Sequence, residues 1–235
     1  MSRPKNADGQ RTRQAILDAA LDLFAEKGFF GASLRDVATV VGVRESALYN
    51  YFPGKDALFE ALIVTDHEEK TERLAAVVDG PITDGRVALE QLTIATLENF
   101  AQPRQQQLFR ILMSDGIRLA KLGRLNLLER MCNDGRGPIH EMLRRLIKDG
   151  FIRNGDLKML VIAFISPLIL WRHVLAINID LPMVQDPQAF AGQHVDQFLR
   201  GAGADASADA RRAKRVRTRP GVPKARIRPA RRHLS

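Results

Sequence analysis

The sequence predicts an all-α protein of two domains, a small three-helix unit followed by a larger helical domain. Apolar residues recur at helical spacing in most segments, glycines and prolines fall at the ends of those segments, and no strand-like alternation occurs. At 235 residues the chain can bury one large or two small cores. Its 45% hydrophobic and 27% charged content is typical of a globular protein.

The first helix is predicted from about Arg11 to Lys27. Ile16, Ala20 and Phe24 share one face, and Gly28 can end the helix. The preceding residues, 1–10, are polar and are predicted to form a disordered arm. Because they contain no apolar segment of the signal-peptide type, we expect a cytoplasmic protein.

A helix-turn-helix is predicted next, completing a unit over residues 11–54. Ser33 and Asp36 have the spacing of a capping box, and an apolar stripe follows as far as Gly42. A second short helix fits Glu45 to Tyr51, after which Pro53-Gly54 closes the motif. Two short helices joined by a turn containing glycine place the second one to enter a DNA major groove.

The order of residues in this motif resembles a known signature. Gly42-Val43, then ALYNYF from Ala47 to Phe52, then Lys55 with Leu58 and Phe59, resemble the DNA-binding motif of the TetR family of transcriptional regulators. Gly28-Phe29 before Ser33 fits the same pattern, and the resemblance covers roughly residues 11–62. It implies an N-terminal helix-turn-helix DNA-binding domain and a C-terminal helical domain for ligand binding and dimerisation.

Ten residues are predicted to contact DNA. Those placed to read base edges are Arg35, Arg44, Glu45, Ser46, Ala47 and Asn50. Those predicted to contact phosphates are Ser33, Tyr49, Tyr51 and Lys55. For Tyr51, packing against the first helix is an equal alternative. Many relatives have Ser then Lys where this chain has Arg44 then Glu45, so the second motif helix lacks a good N-cap, at a cost of roughly 1 kcal/mol.

The rest of the chain is predicted as a helical domain over residues 55–200, beginning with a connecting helix at 55–79. Further helices are predicted at about 84–100, 103–122, 125–131, 138–149, 157–177 and 188–200. Residues 201–235 are predicted to be a disordered Arg-rich tail, with 11 Lys and Arg side chains against Asp205 and Asp209. The tail accounts for the whole +9 net charge of the chain.

The resemblance also implies a homodimer and an effector pocket. The dimer would form through the last two helices, and the one at 157–177 is apolar around most of its circumference; a central buried helix is the alternative. Phenylalanine, methionine and tryptophan near the expected pocket predict an apolar or aromatic effector. The candidate effector residues, for each of which ordinary core or surface is the favoured alternative, are Phe109, Met113, Asp115, Arg118, Phe164, Trp171 and His173.

Together these patterns predict a repressor that a small molecule releases from a palindromic operator. An activator, or a non-specific DNA-binding protein acting through the tail, is the alternative. A small all-α enzyme is a distant one, because no catalytic constellation occurs and the five histidines stand singly. We expect no cofactor and no metal site. The uncharged run from Met159 to Trp171 is too short to span a membrane, so no membrane partner is expected.

Overall fold

A computed structural model describes residues 5–126, 137–153 and 155–202. Within these ranges the chain forms α-helices and no strand. The helices are α1 (Lys5–Gly31), α2 (Leu34–Val41), α3 (Glu45–Leu48), α4 (Lys55–Asp79), α5 (Gly85–Ala101), α6 (Pro103–Lys121), α7 (Pro138–Lys148), α8 (Leu157–Ala176), α9 (Pro182–Gln185) and α10 (Pro187–Ala202). The all-α prediction is confirmed for the part of the chain that is described.

The N-terminal end of the chain differs from the prediction, and most of the predicted tail lies outside the described residues. Helix α1 begins at Lys5, so residues 5–10 of the predicted arm are helical. Asp8 lies in the first turn, where a negative charge is favourable at a helix N-terminus. Residues 201–202 complete α10, whereas residues 203–235 of the predicted tail lie outside the described residues. Most of the helix predicted at 125–131 lies outside them too.

Local capping explains why many helix limits were predictable. The Ser33 hydroxyl accepts from the Asp36 backbone N–H at 3.1 Å, and Asp36 Oδ2 accepts from the Ser33 N–H at 2.9 Å. The side-chain hydrogen bond with Ser33 is the main reason that the pKa of Asp36 is lowered. Gly42 ends α2 in the left-handed conformation, at φ 76°. Helix α9, only four residues long, was not predicted.

The buried side chains form two clusters. The first joins α1, α2, α3 and the start of α4, and the rings of Phe24, Phe29 and Phe59 pack edge-on or tilted at its centre. It also includes Leu108 and Ile111 of α6. The second cluster joins the end of α4 with α5, α7, α8 and α10. Helix α4 therefore contributes to both clusters, and the domain limits at 54 and 200 stay a prediction.

Helix α8 is unusual for its exposed apolar surface. By length and composition it could cross a membrane, and only 22% of its most apolar 18-residue window is buried within the chain. Pro167 lies inside the helix without ending it. Since core helices of globular proteins have similar composition, the exposed apolar surface of α8 is the informative observation.

Candidate functional site

The helix-turn-helix presents a row of exposed polar side chains on one side of the first cluster. Leu48 is fully buried and anchors α3, and Phe52 is buried just after it. The predicted base-reading residues around this anchor are exposed, except for half-buried Ala47: Arg35, Arg44, Glu45, Ser46 and Asn50. Tyr49 is 51% exposed, although large aromatic side chains are usually mostly buried.

Helix α3 is shorter than predicted and ends at Leu48 instead of Tyr51. No side chain caps its N-terminus at Arg44, as the sequence indicated. The backbone N–H groups of Asn50 and Tyr51 bond to carbonyls three residues back, at 3.2 and 2.9 Å, so the chain tightens before Pro53. Tyr51 is half-buried against the first cluster, in agreement with the packing alternative.

The side chains of the predicted phosphate-binding residues Ser33 and Lys55 both form hydrogen bonds with other groups of the chain. The Ser33 hydroxyl donates to Asp36 at 2.6 Å while it also caps α2. Lys55 Nζ donates to the carbonyl oxygens of Phe29 at 2.8 Å and Ala32 at 2.9 Å, and it lies 4.6 Å from the centre of the Phe29 ring. Burial lowers the pKa of Lys55. The Lys55 ammonium therefore secures the C-terminal end of α1, a role that the sequence analysis did not predict.

Helix α6 is attached to the same end of α1. Gly28 breaks the helical conformation, at φ 75° and ψ 160°, which frees the N–H of Phe29. Asp115 Oδ2 accepts from that N–H at 2.7 Å, and the Arg118 guanidinium lies 3.7 Å from the centre of the Phe30 ring. These contacts attach α6 to the residues that precede the helix-turn-helix.

A cavity of about 400 Å³ lies among α4, α5, α6, α7 and α8. Its wall is mainly apolar and includes Leu74, Phe100, Leu112, Ile139, Val161 and Ile165. Its titratable lining residues are Asp66, His67, Lys70, His140 and Arg172. A concave, mostly apolar site of this size with a few polar groups is typical of small-molecule binding sites.

Gln105 connects two of the charged residues in the cavity wall. Its side-chain amide donates to Asp66, while its backbone carbonyl accepts from Arg172 at 2.6 Å. Burial is the main cause that raises the pKa of Asp66, and burial also lowers the pKa of Arg172 to about 10. Burial likewise lowers the pKa of His67 and of His140, which favours neutral imidazoles at neutral pH.

Comparison with known proteins gives three kinds of match. The sequence model of the family described as "Bacterial regulatory proteins, tetR family" matches residues 16–62. The HTH-type transcriptional regulator UidR of Escherichia coli K12 is 32% identical over 111 residues, which are 47% of this chain and 55% of UidR. The HTH-type transcriptional repressor BepR of Brucella suis is 35% identical over 107 residues, 45% of this chain and 50% of BepR.

Residues 16–62 therefore match the DNA-binding domain of the TetR family. The chain spans about half of the length of the sequence relatives that it matches. A crystal structure of a TetR-family regulator from Mesorhizobium loti matches 81% of this chain and 96% of its own, with a TM-score of 0.63 and 20% identity. FadR of Bacillus halodurans, a fatty acid degradation regulator, matches 85% of this chain and 96% of its own, with a TM-score of 0.62 and 17% identity. These two structures establish the fold.

Within this TetR-family fold, one of the seven predicted effector residues, Phe109, lines the cavity. Asp115 and Arg118 contact α1 instead, and Met113 is 52% exposed. These three were chosen from their place on a predicted helix, but they point to the faces of α6 that meet α1 or solvent.

The other predicted effector residues lie in α8 and do not line the cavity. Phe164 is fully buried and packs on the rings of His194 and Phe198. Trp171 is also buried, and its indole N–H donates to the carbonyl oxygen of Met183 at 2.8 Å. His173 meets the edge of the Phe109 ring with 6.3 Å between ring centres. Phe164 and Trp171 are therefore core residues of the second cluster.

The polar residues of the cavity were missed at the sequence level. Asp66 follows Leu62 by four residues and Ile63 by three, so it lies on the apolar stripe of α4. Arg172 follows Leu168 by four residues, so it lies on the apolar stripe of α8. A charged residue that interrupts an apolar stripe was the sequence signal that could have indicated a polar group in the wall of a cavity.

Proposed function

We propose that the chain is a transcriptional regulator that binds operator DNA through α3 and the residues beside it. The observation that carries the proposal is the exposed polar row around α3, held in place by buried Leu48 within the matched family domain. UidR is named a regulator and BepR a repressor, and repression is the mode that we assign to this chain. Such a protein acts in the cytoplasm, where the DNA is.

We expect substitutions of base-reading residues and of phosphate-binding residues to affect DNA binding in different ways. Arg44→Ala and Asn50→Ala should each reduce discrimination at the base pair contacted by about 1–3 kcal/mol. Tyr49→Ala should weaken binding to all duplexes alike, since a phosphate contact carries no sequence information. We would measure fluorescence anisotropy with DNA from upstream of the protein's own gene and with single-base-pair variants, at ~150 mM salt with competitor DNA.

A chain that ends at residue 202 is the control for the Arg-rich tail. Specific binding should survive this truncation, because the proposed contacts all lie around α3. Binding that disappears with the tail, or equal effects of the three substitutions on every duplex, would contradict the proposed regulator.

The proposed regulator is a homodimer formed through α8 and α10. Ile162 and Leu170 are 53% and 56% exposed on one face of α8, together with Met159. A monomer would leave these large apolar side chains in water, whereas a two-fold partner covers the same surface on both subunits. Two copies of α3 about 34 Å apart would then read a palindrome.

Leu170→Arg should convert the dimer to a monomer. The guanidinium would be buried without a partner at the two-fold interface, so we expect the dimer dissociation constant to rise at least about tenfold. Sedimentation velocity over a concentration series measures this constant. Ile117→Arg on α6 is the matched control, since Ile117 is 79% exposed and lies outside α8 and α10. A dimer that survives Leu170→Arg would place the interface elsewhere.

The cavity is proposed to bind the small molecule that releases the operator. Its mainly apolar wall supports an apolar or aromatic effector. It lies between α4 and α6, and both helices continue into the first cluster beside α1. A ligand that fits better when these helices are displaced would shift the population away from the DNA-binding arrangement, by as much as its affinities for the two states differ.

A further inference from the structure

The guanidinium of Arg172 is a partly buried cation with unused hydrogen-bonding capacity. It lies between two aromatic rings, 4.7 Å from the centre of Phe100 and 4.4 Å from the centre of Phe109. Its Nη2 donates to the carbonyl oxygen of Gln105 at 2.6 Å and approaches the Gln105 amide oxygen at 3.4 Å. Its Nε is buried and has no hydrogen-bond partner among the described residues.

The charge of Arg172 is also poorly compensated. It takes part in none of the ion pairs found among the described residues. The nearby carboxyl of Asp66 interacts with this charge, but it accepts from the Gln105 amide and forms no ion pair with Arg172 among the described residues. Arg172, with a pKa of about 10, stays charged at neutral pH. A partly buried cation without an ion-pair partner can be stabilised further by an anion that reaches it.

We propose that the cavity binds an amphipathic carboxylic acid whose carboxylate accepts from the guanidinium of Arg172, a residue that lines the cavity. The apolar body of the acid then lies against the side chains of Leu74, Val161 and Ile165 in the same cavity. A carboxylate is favoured over a neutral hydroxyl because a guanidinium–carboxylate hydrogen bond is stronger than a neutral one. This inference rests on the proposed effector role of the cavity, and it adds the chemical class of the ligand.

Three probes of equal chain length test the charge preference on the unaltered, full-length protein. Decanoate, 1-decanol and decyltrimethylammonium share an apolar tail and differ in the charge of the head group. Titration calorimetry below the micelle concentration should show decanoate binding about tenfold or more tighter than decanol, with the ammonium probe weakest. A second acid, 1-naphthoate, distinguishes a straight chain from an aromatic body. Equal binding of decanoate and decanol, or binding of none of the acids, would overturn the proposal.

Arg172→Met tests the assigned residue. Methionine retains apolar contact with the two rings but removes the cation, so the preference for decanoate over decanol should fall about tenfold to near unity. Arg110→Met, an exposed arginine on α6, is the matched control and should retain the preference. If Arg172→Met does not fold, Arg172→Lys provides the second variant: it keeps a charge but lacks the planar set of guanidinium donors, and should lose part of the preference. A variant that keeps the full preference contradicts the assignment.

The same titrations separate this inference from the proposed function. Acid binding is measured without DNA, whereas operator release is measured by anisotropy in the presence of the acid. Tight, Arg172-dependent binding with no change in DNA affinity would support the ligand class and contradict the effector role. Release of DNA by decanol as readily as by decanoate would contradict the ligand class and leave the effector role intact.

Discussion

Gly28→Ala is expected to destabilise the protein more than any other single-methyl addition at a positive-φ glycine. Gly28 has φ 75° and ψ 160°, a conformation that is essentially restricted to glycine and costs other residues about 1–3 kcal/mol. An added Cβ would also lie 2.9 Å from Asp115 Oδ2. Since that oxygen accepts from the Phe29 N–H, the methyl group would disturb the hydrogen bond that attaches α6 to α1.

Gly42→Ala is the matched control for this experiment. Gly42 has nearly the same φ, 76°, but lies in the left-handed helical region, and an added Cβ would meet nothing within 4 Å. Its cost should be about 1–2 kcal/mol from backbone strain alone. Urea unfolding of both variants measures the difference, and we expect Gly28→Ala to cost at least about 1 kcal/mol more.

The contribution of Asp115 can be isolated by combining substitutions. In an Asp115→Ala background the steric conflict disappears, so Gly28→Ala should become less costly there than in the unaltered protein. Equal costs for Gly28→Ala and Gly42→Ala, or no change in the Asp115→Ala background, would contradict a role for this contact. The operator affinity of Gly28→Ala should also fall, because Phe29 and Phe30 belong to or pack against the first cluster that supports the helix-turn-helix.

The helix-turn-helix could be predicted from sequence because its determinants are local. The capping box from Ser33 to Asp36 spans four residues, and Gly42 directly follows the short helix α2. Both act through backbone hydrogen bonds within a few residues, so no knowledge of distant packing is needed. The end of α3 was less predictable. Before Pro53, backbone N–H groups bond to carbonyls three positions earlier instead of the four positions of an α-helix, and the apolar pattern of the sequence does not show this change.

The cavity could not be predicted in the same way because it is built from distant parts of the chain. Asp66, Gln105 and Arg172 lie on three different helices, and their hydrogen bonds join residues 39 and 67 positions apart. Helical periodicity gives the face on which a residue lies, but it does not give the partner of that face. For this reason Asp115 was assigned to a ligand site although it lies against α1.

Lys55→Met is expected to lower the free energy of unfolding by about 1–2 kcal/mol. The substitution removes the donor to the carbonyl oxygens of Phe29 and Ala32, where α1 ends, and it removes the cation from the Phe29 ring. Lys27→Met is the matched control, because Lys27 is exposed and its Nζ lies 3.8 Å from Asp36 in a surface ion pair that should contribute little.

The salt dependence of DNA binding separates this internal role from a phosphate contact. A lysine that neutralises a phosphate contributes about 0.9 to the slope of log K against log salt concentration. If Lys55 acts inside the protein, Lys55→Met should leave the slope unchanged under conditions in which the variant is folded, while its unfolding midpoint falls. A reduced slope with unaltered stability would instead assign Lys55 to the DNA backbone, as the resemblance implied, and would make its bonds to Phe29 and Ala32 a feature of the DNA-free state.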